Sequence, residues 1–196
     1  QEAPVGSMSQ DGEKQAGAIH AVLNDSENVK LLESTPLLFI HLMCLGVFFV
    51  GFSWTALAVC LLTYAVRVFA LTAGYHRYFS HRSYKTSRLF QFILAFTGAS
   101  SMQKGPLWWA GHHRHHHRFS DQEEDLHSPI RHGFWWAHLG WILSPQYDET
   151  PKDLIKDFVK YRELRWLNRW HLVPGILLAL LLLVFGGWPA FVWGFL

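Results

Sequence analysis

The sequence has few cysteines and few charged residues, and both shortages narrow the class of protein. Its two cysteines, Cys44 and Cys60, lie inside apolar runs, which predicts small buried residues. A disulfide framework and a cysteine-based metal site are therefore not expected. Charged residues make up 16% of the chain and the formal charge is +2, so no nucleic-acid-binding surface is indicated. No internal repeat is visible, and 196 residues have room for about one domain.

Long apolar runs are abundant, since half of the residues are hydrophobic. About 20 apolar residues cross a bilayer. The break Gly51-Phe52-Ser53 separates the first two runs and predicts a transmembrane helical hairpin. A third run is divided by the break Gly186-Gly187-Trp188-Pro189, after which a fourth span is expected to begin. The predicted spans are residues 36–52, 54–75, 172–187 and the start of a fourth at 189–196.

The remaining segments predict a tail and a cap. Residues 1–33 are polar and weakly patterned, so we expect a mobile tail before a membrane domain at 34–196. A cap is predicted at 76–170. Its apolar stretch at 89–99 is too short to cross the bilayer, so both histidine clusters of the cap lie on the same side of the membrane. Lys and Arg gather around these histidines, which indicates the cytoplasmic side. The sequence predicts an all-α membrane protein with transmembrane helical hairpins and a cytoplasmic histidine-rich helical cap.

Histidine is the residue in excess: the chain has 13. The first cluster contains His76 and His81 at the end of the second apolar run. Residues five apart in an α-helix differ by about 140° in direction. These two side chains would therefore share a face only if the helix frayed near Ser80. This spacing alone is also compatible with two interfacial histidines bonded to water or lipid headgroups.

The second cluster, His112 to His117 with Arg114 interleaved, is the stronger metal-binding signal. His113, His116 and His117 have i, i+3, i+4 spacing, which places three imidazoles on one helical face. Neutral imidazole is a good ligand for iron, zinc and copper. His112, His115 and His116 form the same pattern one position earlier. Spacing therefore leaves two registers open.

Both clusters resemble the histidine boxes of the membrane fatty-acid desaturases. The segment from His76 to His81 is similar to the first box, and that from His113 to Asp121 is similar to the second. The similarity covers about residues 71–143. It implies two non-haem irons, dioxygen as co-substrate and the register with His112 and His115 outside the ligand set. We expect these two histidines to be solvent-exposed, with hydrogen bonding to the ligand histidines as the alternative. The implied metal ligands are His76, His81, His113, His116 and His117.

The resemblance also implies roles beyond the ligands. Trp109 and Gln103 match positions that line the acyl tunnel, although Trp109 at this depth would also suit simple interfacial anchoring. Asp125, His127 and His138 are candidates for orienting the ligand histidines, and Asp125 with His127 would equally suit tying down a loop. The implied substrate is a saturated acyl chain, desaturated to a cis double bond at the delta-9 position. Its electrons would come from a b-type cytochrome or a ferredoxin with its reductase.

The sequence departs from the family pattern at two points. The family's third box, His-x-x-His-His, is not found up to Leu196, so we expect the native protein to continue and this stretch alone to be inactive. The family's acyl-CoA enzymes carry a basic pair where this chain has Leu143 to Gln146. The acyl carrier therefore stays open between CoA, acyl-carrier protein and intact lipid.

Three other functions remain open on the sequence alone. A related histidine-box hydroxylase or ketolase would use the same ligands on a different substrate. A membrane metal transporter or metal sensor would use the histidines without oxygen chemistry. A haem-binding electron carrier would also place histidines beside apolar helices.

Overall fold

The computed structural model describes residues 39–196, so the tail predicted at 1–33 lies outside the described residues. Every regular element among the described residues is helical, which confirms the all-α prediction for that part. Helix α1 is Phe39–Val50, with a 3-10 turn at Cys44–Gly46. The chain leaves helical geometry at Gly51 (φ 71°) and enters the next helix after Ser53, whose hydroxyl accepts a hydrogen bond from the Ala56 amide at 3.0 Å.

Helix α2, Trp54–Ser80, is the longest helix described, at 27 residues. It is α-helical over Trp54–Phe69 and π-helical over Ala70–Ser80. The helix therefore ends five residues later than the boundary predicted at residue 75. The chain does not fray there; it changes to i→i+5 hydrogen bonding, a rare geometry that is frequently found at functional sites.

Six helices, α3 to α8, and the connections between them form the region between α2 and the last helix. Helix α3 is Arg88–Ala99, capped by Ser87, and α4 is Pro106–Phe119, which starts with proline at its first turn. Helix α5 is Pro129–His132, and α6 is a π turn, Trp136–Gly140, continued by Trp141–Leu143. The 3-10 turn Lys152–Ile155 leads into α7, Lys156–Val159, and α8 is Arg162–Arg169.

Helix α9, Val173–Gly194, contains a sharp change of direction at Gly187, where φ is +66° and ψ is −167°. The segment after Gly187 turns back along the helix, because a Cβ on Gly194 would lie 3.2 Å from the Leu182 side chain. Arg67 of α2 holds this returning segment by donating to the carbonyls of Gly194 and Phe195 at 3.0 and 3.1 Å.

The apolar surface is distributed as in a membrane protein. Helices α2 and α9 are long and apolar enough to cross a bilayer. Most large side chains of Trp54–Phe69 and of α9 are exposed, whereas the buried core of aromatic and aliphatic residues lies around Tyr75, Phe79 and Phe158. That core joins the π-helical part of α2 to α3, α4, α7 and α8, and it fixes where the two histidine clusters meet.

Candidate metal centre

Four histidines from two helices converge at the end of α2. His76 and His81 come from α2 and the residue that follows it, and His113 and His117 come from α4. The Nε2 atoms are 3.2 Å apart in the first pair and 3.0 Å apart in the second. Across the helices, the His76 and His113 ring centroids are 4.8 Å apart, and those of His81 and His117 are 4.7 Å apart. One ligand atom from each residue lies within 4.8 Å of the others.

The π-helix explains how His76 and His81 come together. The His81 amide donates to the His76 carbonyl at 3.1 Å, which is an i→i+5 bond. Such bonding turns residue i+5 closer to the direction of residue i than an α-helix does, so two side chains that an α-helix would separate become neighbours. A regular change of helix type, rather than a fray near Ser80, therefore brings these two side chains together.

The spacing of these nitrogens fits a shared metal ion. Imidazole nitrogens bind first-row metals at about 2.1 Å, so two of them at right angles on one ion lie about 3.0 Å apart. Burial, followed by the neighbouring imidazoles, lowers the pKa of His113 to about 3. A neutral ring keeps its lone pair available for a metal. The four-histidine group can therefore hold one ion.

Arg114 locks α4 against the end of α2. Its guanidinium binds both carboxylate oxygens of Asp157, at 2.9 and 3.0 Å, and it also donates to the carbonyls of Phe79, Ser80 and Leu154. Only 12% of the Arg114 side chain is exposed. Burial opposes ionisation of Asp157, but the hydrogen bonds and charge of Arg114 outweigh it and lower the pKa of that carboxyl.

This clamp was missed by sequence reasoning. Arg114 directly follows His113, and its place inside the histidine run was the only signal. Asp157 lies 43 positions away and carries no motif. A bidentate arginine that ties helix α4 to the last carbonyls of α2 fixes the separation of the two histidine pairs.

The fifth predicted ligand, His116, belongs to a second group with Asp125 and His127. Its Nδ1 lies 2.9 Å from Oδ1 of Asp125, which is fully buried, and its ring stacks on His127 with centroids 4.3 Å apart. Burial opposes ionisation of Asp125, but hydrogen bonds from His116 and from two backbone amides lower its pKa. His127 stacks in turn on Trp141 at 4.7 Å.

Asp125 thus performs two tasks. Its Oδ2 accepts from the Asp121 amide at 2.8 Å and its Oδ1 accepts from the His127 amide at 3.3 Å, which ties the loop after α4. The same carboxylate fixes the His116 ring, leaving Nε2 free to bind a metal.

The structure separates the other predicted side chains from the two groups. His138 is exposed and stacks on Phe134, with centroids 5.4 Å apart, and the described contacts do not join it to either group. His112 is buried and its Nδ1 lies 3.0 Å from the Trp108 carbonyl, so the expected exposure of His112 was wrong. The reason is that the His112 ring packs against Trp108 of the same helix and against Trp141. His115 is partly exposed, with its Nε2 2.8 Å from the Glu124 carbonyl.

The two predicted tunnel residues occupy different environments. Trp109 stacks on His113, with centroids 4.7 Å apart and planes at 23°, and it contacts Tyr75. Gln103 is exposed on the turn between α3 and α4. Neither lines the apolar groove of about 330 Å³ between α2 and α3, which is formed by Ala65, Val66, Phe69, Ala70, Phe90, Ile93, Leu94 and Thr97.

Comparison with known proteins gives one consistent family. Residues 52–196 match the family model described as fatty acid desaturase. The chain is 39% identical over 159 residues to an acyl-CoA 5-desaturase of Anemone leveillei, covering 79% of this chain and 49% of that protein. It is 38% identical over 147 residues to the sn-1 stearoyl-lipid 9-desaturase of Anabaena variabilis, covering 74% and 53%.

A third relative covers more of the sequence. The delta-9 acyl-lipid desaturase 1 of Arabidopsis thaliana is 32% identical over 171 residues, covering 86% of this chain and 55% of that protein. The chain spans about half the length of the curated relatives it matches.

Proposed function

Because the chain belongs to the fatty acid desaturase family, we propose that the protein is an oxygen-dependent desaturase that introduces a cis double bond into a saturated fatty-acyl chain. The observation that carries the proposal is the convergence of His76, His81, His113 and His117 at ligand spacing. We assign the delta-9 position to the reaction, and the names of the Anabaena and Arabidopsis relatives support that choice.

Two non-haem irons are the proposed cofactors. The four-histidine group would hold one iron. His116 would contribute to the other through Nε2, because its Nδ1 is engaged by Asp125. Iron bound at these ligands would supply the oxidising power that removal of hydrogen from an unactivated methylene requires, with dioxygen and two external electrons as co-reactants.

The chain's own residues position this chemistry. The ion pair between Arg114 and Asp157 holds α4 against α2. The two histidine pairs therefore stay close enough to share a metal ion, and the helices need not move when it binds. Trp109 packs its ring on His113 and restricts how that imidazole can turn. Trp109 therefore contributes to the shape of the site beside the metal, where we place the reacting part of the acyl chain.

The proposed setting is a membrane. Helices α2 and α9 would cross the bilayer, and the histidine groups would face the cytoplasm. The substrate would be an acyl chain on CoA, acyl-carrier protein or a lipid. The relatives' names include both acyl-CoA and acyl-lipid enzymes. Electrons would come from a b-type cytochrome or a ferredoxin with its reductase.

Expression from the complete gene in a host that lacks the unsaturated product tests the function. Gas chromatography with mass spectrometry should show a new cis-alkene at delta-9. His113→Gln should abolish it, whereas the matched control His115→Gln, one of the histidines outside both groups, should retain it. A hydroxylated product without alkene would instead identify a hydroxylase.

The metal content gives a second test. Purified protein should contain iron, and His113→Gln should lower the iron content relative to His115→Gln. Zinc without iron would contradict the desaturase proposal and favour a metal transporter or sensor. A haem absorption band would favour an electron carrier.

A further inference from the structure

Helix α8 has two faces of different chemistry. Leu164 and Leu167 point inward and are fully buried. The outward residues include three arginines and two tryptophans. They are Arg162, Arg165, Trp166, Arg169 and, directly after the helix, Trp170. Trp166 and Trp170 are 47% and 51% exposed, so both large rings face away from the core.

The positive charge of this face is not neutralised within the described part of the protein. The acidic residue of α8, Glu163, is engaged by Arg88 at 2.6 and 2.8 Å. None of the ion pairs between described residues includes Arg162, Arg165 or Arg169. The outward face therefore carries three cationic groups outside these ion pairs, of which Arg165 also donates to the Val159 carbonyl at 2.6 Å.

The surroundings of α8 are apolar on both sides. Helix α9 starts at Val173, three residues after Trp170, and its early side chains Ile176 and Leu177 are exposed. On the other side, Arg88 ties α8 to the start of α3, where Leu89 and Phe90 are exposed. The arginine and tryptophan face thus lies between the exposed apolar surfaces at the start of α3 and the start of α9.

We propose that the outward face of α8 binds the headgroups of anionic phospholipids. Tryptophan concentrates at the membrane–water interface, because its ring is apolar and its N–H is polar. Arginine binds phosphate through a planar set of donors, and basic side chains next to a membrane are attracted to anionic lipids. An acidic protein would match the charges but not the two exposed indoles beside apolar helices. This inference depends on membrane insertion and is independent of desaturation.

Spin-label electron paramagnetic resonance can test the proposal directly. The protein, reconstituted in phosphatidylcholine, is titrated with spin-labelled phosphatidylglycerol and, separately, spin-labelled phosphatidylcholine. The motionally restricted fraction gives the relative association of each lipid. We expect the wild type to select phosphatidylglycerol, and Arg162→Gln/Arg169→Gln to reduce that selectivity by about threefold or more, since a basic residue near an anionic surface contributes about fivefold.

The matched control is Lys152→Gln/Lys156→Gln, which removes the same charge from exposed positions of the 3-10 turn and α7. It should leave the lipid selectivity unchanged. High salt should weaken the wild-type selectivity, a measurement that requires no folded variant. Circular dichroism checks that each variant folds.

Two results would overturn the proposal. The first is equal selectivity in the arginine double variant and the wild type. If the arginine variant were then also reduced more slowly by an acidic electron-donor protein, the face would be a protein-docking surface. The second is an equal loss of selectivity in the lysine control. If the protein did not insert into the membrane, no variant would show a motionally restricted fraction of spin-labelled lipid. Absence of the alkene product would contradict only the proposed desaturation reaction.

Discussion

Replacing Arg114 by methionine should both destabilise the protein and weaken its metal site. The variant keeps the length of the side chain but leaves the Asp157 carboxylate with Arg82 alone, 3.4 Å away, and removes the donor to three backbone carbonyls. Breaking a buried ion pair from one side costs about 3–5 kcal/mol. Since 28% of the Asp157 side chain is exposed, water can offset part of this, and we expect a loss of about 2–4 kcal/mol.

The effect on metal binding follows from the position of the clamp. Without Arg114, helix α4 can shift relative to the last turn of α2, so His113 and His117 no longer stay opposite His76 and His81. Residues that orient metal ligands typically contribute about 10–100-fold to affinity. Titration with Co(II), followed by its visible absorption bands, should therefore show binding weaker by about that factor.

Arg118→Met is the matched control, because it removes the same charge one turn further along the same helix from an exposed side chain. It should bind Co(II) as the wild type does and unfold at the same temperature. The reasoning would be refuted if Arg114→Met lost stability but retained wild-type Co(II) affinity. Equal effects of both variants would also refute it, because the loss of one positive charge, and not the position of Arg114, would then explain the weaker binding.

Three further changes test other parts of the structure. Asp125→Asn should weaken metal binding at His116 about 10-fold or more, measured by iron content, because the amide orients that imidazole less well. Glu163→Gln should lower the thermal midpoint at neutral pH. The folded-state pKa of Glu163 is depressed to about 2, chiefly by its hydrogen bond with an arginine, so its contribution is present above about pH 4.5. Melting curves of wild type and variant should therefore converge as the pH falls from 4.5 toward 2. Gly111→Ala should cost about 1–3 kcal/mol in chemical denaturation, since its new Cβ would lie 2.6 Å from Cγ of the rigid Pro151 ring.

The sequence predicted the type of structure well because the relevant patterns are local. Apolar runs about as long as a bilayer is thick predicted α2 and α9, and the i, i+4 spacing predicted that His113 and His117 share a face. These relations depend only on helical geometry within a few turns. The end of α2 was predicted less well: it lies at Ser80 and not at residue 75. Similar sequences form α and π turns, and tertiary contacts decide between the two.

By itself, the amino-acid sequence predicted the all-helical structure of residues 39–196 and an excess of histidine at two places, and it supplied the resemblance to a metal-dependent family. Only the tertiary structure decided which histidines share a centre. It grouped His113 and His117 with the α2 pair, directed His116 to Asp125 and buried His112 beside Trp108. The physical reason is that the direction of α4 is set by Arg114 and Asp157, 43 positions apart, and no local pattern encodes a contact over that separation.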